Sequence, residues 1–271
     1  MRRWTGAVLA GAMTAAGAQT PLAEPTVTVY AAGSLRAALT RIGADFEASP
    51  GGQKVAFVFG ASGLLRDRLL GGERADVFAS ANMDHPLALA AAGRAQPVQA
   101  FTRNALCALA APGFALNGRT LAQRLLDADI KVGTSTPKAD PSGDYAFEMF
   151  DRIEASGAAP VGAAAQLKAK ALQLTGGPTS PPPPADRNVY GALVGSGQAD
   201  MFITYCTNAV LAQQEVPALQ VLPVPEAINV SARYGLAVMR DASPGAQRFV
   251  DFVLGPAGQQ RLRAAGFSSP N

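Results

Sequence analysis

The sequence predicts an α/β protein of two lobes, each a mostly parallel sheet flanked by helices, with a hinge between them. Three observations carry this expectation. Short apolar runs rich in small and β-branched residues alternate with segments whose apolar residues recur at helical spacing. Small-residue turns carrying serine separate several of these pairs. The chain crosses out of the first series of βα units near residue 105 and returns near 231. A first lobe of 26–105 and 231–271 is thereby interrupted by a second lobe of 106–230, the layout of a hinged binder.

Composition bounds the functions open to such a chain. At 48 % hydrophobic and 16 % charged over 271 residues, it can fill two cores. Lys plus Arg exceed Asp plus Glu by 23 − 20 = 3, and two of those cations are Arg2 and Arg3. The remainder is near neutral with no basic stripe, so no nucleic-acid partner is expected. Arg2 and Arg3, the small-residue apolar run 7–16 and Ala16-Gly17-Ala18 together read as a signal peptide over 1–18, cleaved near Ala18. The run is too short to span a bilayer, and the mature protein is expected in the periplasm.

In the first lobe, Val27, Val29 and Ala31 form a buried strand that leads through Ala32 and Gly33 to Ser34. Ser34 falls where a helix N-cap belongs, before Leu35, Ala38, Leu39, Ile42 and Phe46 on one helical face. Such a corner offers a hydroxyl and free N–H groups at the positive end of a helix dipole, which hold an anion without a charged side chain. Alone it reads more readily as an ordinary capped loop, because short motifs match by chance. The pattern recurs, however, as strand 54–59, turn 60–63 with Ser62, and helix 64–70. Two serines at equivalent strand ends, where ligands of such sheets bind, favour the anion reading. A short strand over 76–79 follows, then a helix that begins at Asn82 and ends near Gly93.

The second lobe begins with a crossing strand over 104–110, a helix at 120–127 and a strand at 130–134. The turn 137–143, with Asp140-Pro141-Ser142-Gly143, opens a helix from 144 to about 156. Residues 176–184, ending in four prolines, favour extended polyproline II and are expected as a surface loop. A helix at 188–194, a strand at 200–205 ending in Tyr205, and a helix at 207–214 come next. Residues 233–238 cross back, and two helices close the chain, the first with Phe249, Val250 and Val253 on one face.

Seven stretches, in order, carry a family resemblance. They are 31–35 (AAGSL), 59–64 (FGASGL), 75–81 (ADVFASA), 140–146 (DPSGDYA), 188–189 with 203–205 (NV, ITY) and 255–258 (GPAG). With them the chain resembles the periplasmic molybdate/tungstate-binding proteins of ABC importers, over nearly all of 26–267. The resemblance implies a type II-like periplasmic binding fold that closes on the oxyanion about its hinge. It also implies a membrane ABC permease as partner, no cofactor, and a monomer. Molybdenum or tungsten enters only as the bound oxyanion. Ser34 and Ser62 match hydroxyl and backbone donors, Ser142 and Val189 match backbone N–H donors, and Tyr205 matches a phenol donor. Ser142 stands where the family usually has alanine.

Donor chemistry fits that site. Molybdate, tungstate and sulfate are fully deprotonated at neutral pH and only accept hydrogen bonds, which Ser, Tyr and main-chain N–H supply. Hydrogen phosphate needs an acceptor, and none of the five matched residues is acidic; Asp140 and Asp144 read as a turn residue and a helix-start charge. Another small anion, such as sulfate or an organic acid, is the alternative cargo. An exported hydrolase is the alternative class, but His85 is the single histidine, expected at the surface or as a cap, and no nucleophile–base pair or G-x-S-x-G elbow is present. Cys107 and Cys206, in an exported chain, are expected to form one disulfide within the second lobe rather than two buried thiols.

Overall fold

The computed structural model describes Met1, residues 26–184 and residues 187–270, so nearly all of the expected signal segment lies outside the described residues. The first sheet has the order β2-β1-β3-β10-β4, formed by β1 (Val27–Ala32), β2 (Val55–Gly60), β3 (Val77–Ser80), β4 (Gln99–Asn104) and β10 (Ala232–Val238). β1 pairs in parallel with β2 and β3, while β10 runs antiparallel to β3 and β4. Val27, Val29 and Ala31 are fully buried, as a strand covered on both faces requires. Helix α1 (Arg36–Glu47) seats Ala38, Leu39, Ile42 and Phe46 in the core, where Phe46 meets Phe249 of α9 (Gly245–Leu254) edge-on at 5.4 Å. Helices α2 (Ser62–Leu70), α3 (Asp84–Ala91) and α10 (Pro256–Ala264) complete the lobe.

The second sheet has the order β7-β6-β8-β5-β9, formed by β5 (Leu106–Ala110), β6 (Val132–Ser135), β7 (Leu172–Thr175), β8 (Met201–Tyr205) and β9 (Gln220–Pro223). β6 is parallel to β7 and β8; β5 is antiparallel to β8 and β9. Its helices are α4 (Leu121–Leu126), α5 (Pro141–Ala155), α6 (Ala163–Lys170), α7 (Val189–Gly195) and α8 (Cys206–Glu215). Four strands of each sheet share one direction, and a single strand runs against them, β10 in the first sheet and β5 in the second.

Several local expectations change. The single crossing strand over 104–110 is two strands, because Asn104 Oδ1 accepts the Ala105 N–H (3.0 Å) and the chain steps between sheets there. Helix α5 starts at Pro141 rather than 144, with proline at its first position and Asp140 as its N-cap. Ser34 is no cap: it lies in a 3-10 turn, 33–35, that precedes α1. His85 is 5 % exposed rather than at the surface, its Nδ1 3.0 Å from Arg66 Nη1. Burial, then the neighbouring guanidinium, pulls its pKa down to about 4, so it stays neutral and structural.

The two crossings are stapled by one side chain. Asn229 Oδ1 accepts the Leu106 N–H (3.0 Å), and its Nδ2 donates to the Leu106 carbonyl (3.0 Å). Near the same junction Asn104 Nδ2 donates to Thr207 Oγ1 at 2.8 Å. A disulfide joins Cys107 on β5 to Cys206, the first residue of α8, across a sequence separation of 99. Both half-cystines belong to the second lobe, so the bond leaves the hinge free.

Candidate functional site

A cleft of about 780 Å³ opens between the lobes. Ser34 and Ser62 line it from the first lobe, Val189 and Tyr205 from the second. Each stands at the end of a strand or the start of a helix: Ser34 just after β1, Ser62 as the first residue of α2, Val189 as the first of α7, and Tyr205 as the last of β8. The fold therefore brings together four of the five residues expected at the site. Ser142 is not among the lining residues. Its N–H is donated to Asp140 Oδ1 (3.1 Å), because an N-cap carboxylate takes the second N–H of the helix it starts.

The hydrogen-bond pattern leaves donors directed at the cleft. Ser62 is fully buried and its Oγ accepts the Ala81 N–H (3.1 Å); no acceptor among the described residues takes its proton. Asn188 caps α7 by accepting the N–H groups of Tyr190 and Gly191, leaving that of Val189 without a partner among the described residues. Tyr205 is 1 % exposed and its Oη has no hydrogen-bond partner among the described residues. A buried phenol without a partner is costly unless something outside the chain accepts from it. Burial, reinforced by Tyr234, holds that phenol well above its ordinary pKa, so it stays protonated.

Sequence reasoning did not reach the residues that orient Ser34. Its Oγ is 2.9 Å from Oη of the fully buried Tyr234, which also accepts from Asn104 Nδ2 at 3.4 Å. Tyr234 Oη thereby links the Asn104 amide to Ser34 Oγ, and either hydroxyl can be the donor of the Ser34–Tyr234 bond. Tyr234 also packs against Tyr205, their rings 5.6 Å apart and tilted by 58°. No sequence pattern links residues so distant in the chain. Only the return crossing brings β10 beneath the site.

Two lining features go beyond expectation. The proline-rich segment is the expected exposed surface loop, and in addition Gly176, Gly177 and Ser180 to Pro184 form a wall of the cleft. Asp140 and Glu215 also line it, so the cleft does contain carboxylates, that of Glu215 lying 3.8 Å from Arg187; Asp140 is the more buried. Burial pushes the Asp140 pKa up to about 6, against the opposing effect of the Ser142 N–H. Asp144 points elsewhere: it accepts the Lys138 N–H (2.7 Å), and burial raises its pKa while Asp84 and Arg66 of the first lobe face it.

The lobes meet directly where the Gly63 N–H donates to the Ala139 carbonyl at 2.9 Å. A Cβ on Gly63 would stand 2.5 Å from the Lys138 carbonyl oxygen and 2.6 Å from that of Ala139. Only glycine permits this approach. Gly63→Ala should hold the lobes apart and weaken ligand capture by about tenfold or more, since closure is coupled to binding. Calorimetric titration, with a melting curve to show that the lobes remain folded, checks this.

Donors from two hinged α/β lobes converging on one interlobe cleft define a solute-binding protein. The chain belongs to the bacterial extracellular solute-binding protein family, whose description fits residues 27–268. An uncharacterized protein of Pasteurella multocida is 37 % identical over 223 residues, covering 80 % of this chain and 88 % of that one. The molybdate-binding protein ModA of Mycobacterium tuberculosis is 29 % identical over 289 residues, covering 99 % of this chain and 100 % of its own. Among solved structures, the Azotobacter vinelandii periplasmic molybdate-binding protein superposes with a TM-score of 0.71 at 19 % identity, covering 90 % of this chain and 100 % of that one. The sulfate-binding protein SubI of M. tuberculosis does so with 0.73 at 18 %, covering 90 % and 86 %. At these identities the structures establish the shared fold.

Proposed function

We propose that the protein captures molybdate or tungstate in the periplasm by closing its lobes, and delivers the oxyanion as a monomer to an ABC permease. The observation that carries this reading is the buried, partnerless Tyr205 phenol facing Ser34 and Ser62 across the cleft. These neutral donors, with the Val189 N–H, suit a ligand whose oxygens only accept. The full-length likeness to a molybdate-binding protein supports the choice of ion.

A second reading has its own observation. The cleft volume falls in the range of about 300–1,000 Å³ typical of sites for organic molecules, and its proline wall and Phe59 are apolar. An organic anion whose oxyanion group meets the same donors is the competing cargo. Thermal unfolding separates the two. Molybdate and tungstate at a hundredfold excess over Kd should stabilise the protein by about 2.7 kcal/mol, more than phosphate or a sugar phosphate at equal concentration. A larger shift from the organic phosphate favours the second reading.

A further inference from the structure

Asp140 occupies a position that neutral donors alone do not explain. It lines the same cleft as Tyr205 and Val189, yet it brings a carboxyl where a dianion is to be held. One oxygen, Oδ1, takes the Ser142 N–H that would otherwise point from the start of α5. The other, Oδ2, lies against Gly176, whose φ of +77° and missing side chain make room for it; a Cβ there would be 2.5 Å away. The groups facing this carboxyl are Asp144 on its own helix, Ser135 at the end of β6, Tyr190 on α7 and Tyr205 on β8. Asp140 enters no ion pair among the described residues. The two cleft cations are engaged elsewhere: Arg36 lies over the Phe59 ring at 4.4 Å, and Arg187 is 3.8 Å from Glu215.

We propose that Asp140 is a specificity-determining residue that couples capture of a fully deprotonated oxyanion to uptake of one proton by its own carboxyl. This rests on the oxyanion reading of the cleft. With Asp140 ionised, two like charges share one low-dielectric site and the dianion is repelled. With Asp140 protonated, the repulsion is gone and its O–H becomes a further donor, suited to an anion that only accepts. The balance is simple: one proton moves from solvent to a carboxylate oxygen as the anion enters, and returns to solvent on release. The free carboxyl already titrates near 6, so protonating it costs little at mildly acidic pH. Each unit of pH above that value makes the bound state harder to reach.

The test is isothermal titration of molybdate, with sulfate as a second dianion, from pH 6 to pH 8. Measurements at each pH use two buffers of unlike ionisation enthalpy. The parent protein should bind molybdate up to about fifty-fold more weakly at pH 8 than at pH 6, taking up about one proton per anion at the upper end. Asp140→Asn keeps a good N-cap and removes the titration, so its affinity should be flat with pH and exceed that of the parent at pH 8. The proton count on the parent needs no variant, so a poorly folded Asp140→Asn leaves the test intact. Parent binding that is independent of pH, without proton uptake, overturns the proposal while leaving oxyanion capture standing. Failure of the parent to bind either dianion at any pH overturns both.

Discussion

Removing the Cys107–Cys206 bond lowers the unfolding free energy by about 4–5 kcal/mol, the largest effect expected of any change outside the cores. The bond closes a loop with a sequence separation of 99, and chain entropy assigns about 4.7 kcal/mol to a closed loop of that length. The Cys107→Ala, Cys206→Ala double variant, followed by chemical denaturation, measures it. Oxyanion affinity should fall as well. Cys206 directly follows Tyr205, and its N–H is donated to the Ala105 carbonyl at 2.8 Å, so the bond holds the backbone beside the phenol donor. A double variant as stable as the oxidised parent would contradict this role.

Tyr205→Phe weakens oxyanion binding by about 1.5–3 kcal/mol, the value of a hydrogen bond to a charged group. The phenol is buried without a hydrogen-bond partner among the described residues, so the unliganded Tyr205→Phe protein should be as stable as the parent or slightly more so. That pairing of weaker binding with undiminished stability distinguishes a ligand contact from a packing residue. Ser34→Ala should also weaken binding, but through a different chain of contacts, because it additionally deprives Tyr234 Oη of its 2.9 Å partner. Ser62→Ala similarly strips the Ala81 N–H of its acceptor. Equal binding by Tyr205→Phe and the parent would remove the phenol from the site.

The parts legible in sequence were those with local cause. Strand β1, the small residues after it and the apolar stripe of α1 follow from neighbouring residues, and so does the repeated pattern that places Ser62. The second lobe was harder. Helix α6 is alanine-rich, with little contrast between its faces, and β7 and β9 are four-residue strands at the edges of the sheet. Tyr234, Asn104 and Asn229 act across separations of about a hundred residues or more, which no local pattern records. Asp140, which the sequence presents as a turn residue, is the N-cap of α5 and borders the cleft beside the proline-rich segment. That segment shows its conformation in its composition but not the cleft it borders.

The central claim is that neutral donors from both lobes hold a fully deprotonated tetrahedral oxyanion in the interlobe cleft. Isothermal titration of the processed protein with molybdate, tungstate, sulfate and phosphate, at pH 6 where Asp140 is about half protonated, tests it most directly. The account predicts one site per chain, with molybdate and tungstate bound more tightly than phosphate. Phosphate bound more tightly than molybdate, or no heat from any of the four, would contradict it.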